Sequence, residues 1–192
     1  MDSTVGLRER KKAETRQAVH EATLRLVIEH GLDAVTVEAI ADAANISRRT
    51  FSNYFAGKED ALLYGEEQRM RALVDEVRAQ PADHTAWQAL RAAVDTQLRT
   101  TGEPERERSQ RNRLAKRHPS LLARQLATMA TAERELAEAV STRESHLPSR
   151  VLAGVFMTGL RLGMFQWSED EQARTLHEVV LEVLDQIAGP FD

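Results

Sequence analysis

Thr36 to Lys58, TVEAIADAANISRRTFSNYFAGK, reads as two short helices joined by a tight turn. Thr36 suits an N-cap for a helix from about Val37 to Ala44, and Val37, Ile40 and Ala41 recur at three and four, so one side is apolar. Asn45 and Ile46 occupy the turn. Ser47 then caps a second helix through about Tyr54, with Ile46, Phe51 and, beyond the helix, Phe55 directed inward. Arg48, Arg49, Ser52 and Asn53 remain on the outer side. Helices this short are unstable alone, because the cost of nucleating a turn is spread over few hydrogen bonds. Two arginines and an amide placed directly after a cap match a helix-turn-helix whose second helix enters the DNA major groove.

The residue types within that motif define its expected contacts. Arg48 or Arg49 can donate a bidentate pair to guanine O6 and N7, Asn53 can pair with adenine, and Thr50 or Ser52 can touch a thymine methyl or a phosphate. Thr36, Ser47, Tyr54 and Lys58 are the expected phosphate contacts: helix starts offer unpaired N–H groups and a positive dipole end, Tyr54 a hydroxyl, Lys58 an ammonium. The competing reading for the arginines is a solvated surface, and for Tyr54 a half-buried packing aromatic. Which arginine reads a base is left open at this level.

Working outward, residues 1–9 are expected to form a loose arm, followed by a helix from about Arg10 to His30. Ala18, Ala22 and Leu26, with Val19 and Val27, give it a broad apolar stripe, and Gly31 ends it. That helix would cover the back of the motif. Arg8 to Arg16 holds five basic and two acidic residues, so Arg10, Lys11, Lys12 and Arg16 are candidates for flanking phosphates. The net charge of −4 does not exclude DNA, since attraction depends on where charge faces the phosphates.

Lys58 begins a further helix to about Gln80, with Gly65 in its middle. Thr85 with Gln88 is a capping-box signal for a helix to about Thr100. Residues 105–118 are of mixed charge with six Lys/Arg, Pro119 can start the next helix, and residues 120–144 repeat apolar positions at helical spacing. Residues 151–167, VLAGVFMTGLRLGMFQW, are the most apolar run and carry Gly154, Gly159 and Gly163. Ser168 with Glu171 reads as a second capping box, opening a last helix to about Ala188. Two such apolar helices point to a homodimer formed through the C-terminal pair; the alternative is that both fill the monomer core.

The expected architecture is all-α, with a helix-turn-helix DNA-binding domain at 10–60 and a helical effector-binding and dimerisation domain at 61–192. Trp87, Leu90, Leu98, Leu114, Leu126, Met129, Phe156 and Met157 are candidate walls of an effector pocket, each equally readable as core. The absence of cysteine excludes disulfides and thiolate metal sites and suits the cytoplasm. No run reaches the roughly 18 apolar residues of a membrane span, and no signal peptide opens the chain. No cofactor, metal or catalytic residues are expected: the six histidines form no closely spaced ligand set, and there is no glycine-rich phosphate loop or nucleophile elbow. A helical enzyme and a purely structural dimer remain the competing classes.

Residues 10–64 resemble the N-terminal domain of the TetR family of transcriptional regulators. The likeness is carried by TRQAVHEATLRLVIEHGLDAVTVEAIADAANISRRTFSNYFAGKEDALL, Thr15 to Leu63, and most specifically by ISRRTFSNYF followed by GKEDALL. SRRTFSNYF is also similar to an actinobacterial subgroup that includes regulators of mycofactocin gene clusters. The resemblance implies an Ω-shaped homodimer with three DNA-binding helices at the N-terminus. It further implies an effector pocket, a dimer interface made by the last two helices, and repression of a palindromic operator on double-stranded DNA, relieved by a small molecule. By this likeness Ser47–Tyr54 is the recognition helix, and Thr36, Tyr54 and Lys58 hold phosphate. Some relatives bind acyl-coenzyme A thioesters, which Arg106, Arg108, Arg111, Arg113, Lys116 and Arg117 would suit, although a solvated helix explains them too. Gly57 departs from the polar cap usual before the lysine.

Overall fold

Alanine, leucine, glutamate and arginine favour helix, and the computed structural model, which describes residues 3–100, 118–169 and 174–189, is helical throughout. Among the described residues the elements are α1 (Ser3–His30), α2 (Val37–Ala43), α3 (Arg48–Tyr54), α4 (Lys58–Ala79), α5 (Ala86–Thr100), α6 (Pro119–Ala139), α7 (Ser149–Glu169) and α8 (Leu176–Ala188). Helix α1 starts at Ser3, so the loose arm expected at 1–9 is corrected. Leu7 to Ala13 are strong helix formers with no proline, and propagation through them costs little once α1 is nucleated.

The chain forms two compact units. Among the described residues the first comprises 3–68 and 118–125, and the second 69–100, 126–169 and 174–189. The packing unit that holds the helix-turn-helix is therefore larger than residues 10–60. Its core joins Val19 and Val27 of α1, Leu32 and Val35, Ile40 of α2, Phe51 of α3, Phe55, Leu62 and Leu63 of α4, and Leu121 of α6. The α1 stripe is shifted from expectation: Ala18 is exposed, whereas Thr23 is buried and donates its hydroxyl to the Val19 carbonyl at 2.7 Å. Gly31 closes α1 at φ 79°, its N–H reaching the Val27 carbonyl at 2.9 Å, a left-handed cap that suits glycine.

Gly65 has a steric role that no periodicity reveals. The buried His20 ring of α1 lies against it: a Cβ at position 65 would sit 2.5 Å from His20 Nε2. His20 Nδ1 is held by the Ala61 carbonyl at 2.8 Å, which fixes the ring in place. Asp60 reaches back to the Ala56 N–H at 3.0 Å and pairs with Arg124, compensating for the missing cap side chain at Gly57. Buried Glu66 accepts both oxygens' hydrogen bonds from Gln125 at 3.1 and 3.2 Å.

In the second unit Leu73 and Val77 of α4, Trp87, Leu90 and Val94 of α5, Leu136 of α6, Leu152 and Phe156 of α7, and Val180 and Leu184 of α8 make one core. The Trp87 and Phe156 rings meet edge-on at 6.2 Å. The Thr85–Gln88 box is formed, at 3.1 and 3.3 Å. The Ser168–Glu171 cap is not the start of the last helix. Ser168 lies within the final turn of α7, donating to the Phe165 carbonyl at 2.7 Å, and Glu171 lies outside the described residues. Thr175, extended at φ −72° and ψ 153°, caps α8 in a reciprocal box with Glu178. Helix α7 runs two residues beyond Trp167, to Glu169, which takes Ser168 into the helix. Arg143, in the α6–α7 link, gathers the carbonyls of Val77, Gln80, Pro81 and His84, satisfying the end of α4 with one guanidinium.

Three carboxylates of α5 and α8 are held below their ordinary range. Asp95 is lowered chiefly by the hydrogen bond from His177 at 2.5 Å, then by Arg99; Asp185 by the fork of Arg91 at 2.5 and 2.8 Å; Glu178 by the Thr175 N–H. A carboxylate with a lowered folded-state pKa contributes stability above its unfolded value and loses it as pH falls through the folded value. The melting-temperature gap between wild type and Asp185→Asn should therefore be constant above about pH 5 and close progressively below about pH 4, as read by thermal unfolding across a pH series.

Candidate nucleic-acid interface

The helix-turn-helix is built by local chemistry. Thr36 Oγ1 accepts the Ala39 N–H at 3.2 Å and Ser47 Oγ accepts the Thr50 N–H at 3.0 Å, so each short helix has its cap. Between them Asn45 takes φ 53°, a conformation asparagine tolerates, and the Ile46 N–H returns to the Ala41 carbonyl at 2.9 Å. Burial of Phe51 on one side of α3 leaves Arg48, Arg49, Ser52 and Asn53 on the other, all exposed.

Arg49, Ser52 and Asn53 make no hydrogen bond or ion pair among the described residues. Arg48 is engaged: its Nη1 donates to Glu38 Oε1 of α2 at 2.9 Å. Thr50 is half-buried and shares a hydrogen bond with Ser47 Oγ at 2.8 Å, which occupies both hydroxyls locally. Tyr54 is half-buried, with the Arg16 guanidinium 5.5 Å from its ring centre, within range of a cation–π contact. An open groove of about 750 Å³ runs between α1 and α3, lined by Arg8, Glu9, Lys11, Lys12, Thr15, Asn53 and Tyr54. Extending α1 to Ser3 thus brings Arg8 and Lys11 alongside the end of α3; Arg10 is exposed on the same helix, and Lys12 lies 3.9 Å from Glu9. An α-helix flanked by a cationic groove can present donors to base edges and cations to the adjoining backbone.

Lys58 is placed differently from expectation. Its Nζ donates to the carbonyls of Leu32 at 2.7 Å and Val35 at 2.9 Å, committing two of three donors to the α1–α2 link. The ammonium is a cross-link inside the first unit rather than an outward-facing cation. Lys58→Met should cost about 2–3 kcal/mol, since charge-assisted hydrogen bonds to buried carbonyls are lost, and should speed amide hydrogen exchange across residues 27–41.

The candidate effector walls divide. Trp87, Leu90, Phe156 and Met157 are buried in the second core, with Leu98 and Met129 partly buried against it. Leu126 is 55% exposed, so it walls nothing, and Leu114 and the basic cluster at 106–117 lie outside the described residues. The apolar stripe of α8 (Leu176, Val179, Val180, Val183 and Leu184) is buried within the chain itself. Of the two C-terminal helices, it is α7 that carries uncovered large apolar residues, Val151, Leu162 and Phe165, each more than 40% exposed; Leu122 and Leu126 of α6 are exposed as well. Val151 and Leu162 line an open groove of about 490 Å³ with Gly154, Val155, Thr158 and Ile187.

Sequence reasoning missed Glu38, Arg8, Gly65 and Arg143. Each acts on a partner that only the fold brings near, and the one local signal was the unexplained glycine within α4.

Comparison with known proteins is consistent with this geometry. Residues 20–64 match the model of the bacterial regulatory proteins of the tetR family, and residues 84–192, more than half of the chain, match that of the MftR C-terminal domain. The HTH-type transcriptional regulator TcmR of Streptomyces glaucescens is 32% identical over 145 residues, 72% of this chain and 64% of that protein's length. Among solved structures, the chain is similar to FadR of Thermus thermophilus, a TetR-family repressor in complex with lauroyl-CoA (22% identity, 88% of this chain and 91% of that one, TM-score 0.56). It is also similar to SmeT, the repressor of a multidrug efflux pump of Stenotrophomonas maltophilia (17% identity, 92% and 89%, TM-score 0.65).

Proposed function

The chain belongs to the tetR family of bacterial regulatory proteins and carries an MftR C-terminal domain, and on that premise we propose that it is a ligand-responsive transcriptional repressor. It is not an enzyme but a sequence-specific binder of double-stranded operator DNA. The carrying observation is the outward side of α3, where Arg48, Arg49, Ser52 and Asn53 stand exposed beside the basic groove of α1. DNA reading is assigned to residues 10–60, and effector binding and dimerisation to 61–192. A homodimer supplies the second recognition helix for a palindromic site, and the uncovered apolar side of α7 is the surface it would bury. A helical structural dimer without a DNA role would leave that α3 face unexplained.

Repression would end by a population shift. The two recognition helices must sit one or more helical turns of DNA apart to enter successive major grooves. A ligand that favours a pocket shape incompatible with that spacing weakens DNA binding by its differential affinity for the two states. FadR's lauroyl-CoA makes an acyl-coenzyme A thioester the first effector to try: an apolar tail for the helical core, an anionic head for the basic stretch at 106–117.

The test is footprinting and gel shift on DNA flanking the protein's own gene. The expected result is salt-sensitive protection of two half-sites spaced by one or more helical turns, released by an acyl-coenzyme A within a chain-length series. Affinity for no duplex at any salt concentration would remove the regulatory reading. Binding unaltered by every acyl-coenzyme A would remove only the effector class.

A further inference from the structure

Arg48 and Glu38 form an ion pair across the two helices of the motif, at 2.9 Å, with side chains 73% and 54% exposed. A pair this exposed adds little to folding stability. Glu38 also places a negative charge at the start of α2, close to where a phosphate is expected at Thr36, and so opposes binding to DNA of any sequence. In the first turn of α2 an acid suits the helix dipole by about 0.3–1 kcal/mol, but that folding role does not require the contact with Arg48, which is a separate feature.

We propose that Glu38 is a positioning residue for base recognition, holding the Arg48 guanidinium so that its fork is aimed before DNA arrives; this rests on the DNA-binding reading above. Arginine reads guanine through two parallel N–H donors, and a guanidinium with one Nη1–H held by a carboxylate keeps its remaining donors in a fixed plane. Less side-chain freedom is then lost on binding, and a base without paired acceptors is rejected more strongly. The contrast with Arg49, which has no such partner among the described residues, separates the two arginines that sequence alone left equivalent. Arg48 is the constrained reader and Arg49 the adaptable one.

The experiment measures affinity for the operator, for the operator varied at each base pair, and for random duplex. It uses the wild type, Glu38→Ala, Arg48→Ala and the double variant, each checked by its melting curve to be folded at the assay temperature. Glu38→Ala should bind random duplex about 2–10-fold more tightly at low salt, with a salt slope steeper by about one, because a charge facing phosphates is gone. In the same variant, discrimination at one base pair should fall about 2–5-fold, the most that a contact worth up to about 1 kcal/mol can contribute by preorganisation. In the Arg48→Ala background, Glu38→Ala should still tighten random binding but leave discrimination at that base pair unaltered. Discrimination equal to wild type in Glu38→Ala overturns the proposal, as does a further loss in the Arg48→Ala background, which would make Glu38 itself a reader. Wild-type protein with intact operator protection in either case leaves the regulatory reading standing; wild-type protein with no duplex affinity removes both.

Discussion

Gly163→Ala should unfold the second unit at a melting temperature about 2–8 °C below wild type, overpacking outweighing the gain in helix propensity, whereas Gly154→Ala, nine residues away on the same helix, should raise it by a few degrees. The two glycines share a backbone conformation and differ in what lies over them. A Cβ at position 163 would stand 2.9 Å from Val180 Cα and 3.1 Å from its Cγ2, so the α8 backbone itself must move. Overpacking of a close helix crossing costs about 1–3 kcal/mol, or about 2–4 °C per kcal/mol in a chain of this size. At Gly154 the nearest atom is Glu133 Oε1 at 3.6 Å, an ordinary contact, so alanine gains its helix propensity of about 0.8–1 kcal/mol over glycine unopposed. Both tryptophans, Trp87 and Trp167, belong to the second unit, so intrinsic fluorescence follows its melting directly. Trimming Val180 to alanine would relieve the Cγ2 contact alone and should restore only part of the loss at Gly163. Equal melting temperatures for the two glycine variants would show that α7 and α8 do not meet as closely as described.

Arg49→Ala should lower operator affinity by about 5–150-fold, the factor expected for a bidentate base contact of about 1–3 kcal/mol, and flatten preference at one base pair. Arg49 is exposed and carries no partner among the described residues, so its removal breaks nothing in the folded chain, and the melting curve should be unaltered. Competition with random duplex separates the two ways of losing affinity. A base reader loses far more on the operator than on random DNA, while a phosphate contact loses similarly on both and reduces the salt slope by about one. Equal losses on both would move Arg49 from base recognition to backbone anchoring.

The helix-turn-helix was legible because its determinants are local. Thr36, Ser47 and Gly31 each satisfy N–H or carbonyl groups within four residues, so the helix ends at these points follow from residue type. Lys58 was misplaced because its acceptors, Leu32 and Val35, lie 26 and 23 residues earlier and are reached only after α1 turns back on the motif. The same distance hid the reason for Gly65, which serves a ring 45 residues away, and the Arg143 cluster, whose acceptors precede it by about 60 residues. Apolar periodicity correctly marked α7 and α8 as helices but does not state which face meets which neighbour. The stripe of α8 proved internal, and the uncovered side belongs to α7. The Ser168 signal failed for a related reason: a serine inside a helix can return its hydroxyl to a preceding carbonyl, so the residue pattern of a cap is not sufficient without an extended backbone.

The unit that holds the helix-turn-helix is discontinuous, and that sets a schedule during synthesis. Its core closes with Leu121, fully buried, and its buried carboxylate Glu66 is satisfied by Gln125. A chain that stops just past residue 68 therefore holds the whole helix-turn-helix yet leaves open the apolar surface that Leu121 covers. Early translation products should be chaperone clients rather than independently folded helix-turn-helix fragments.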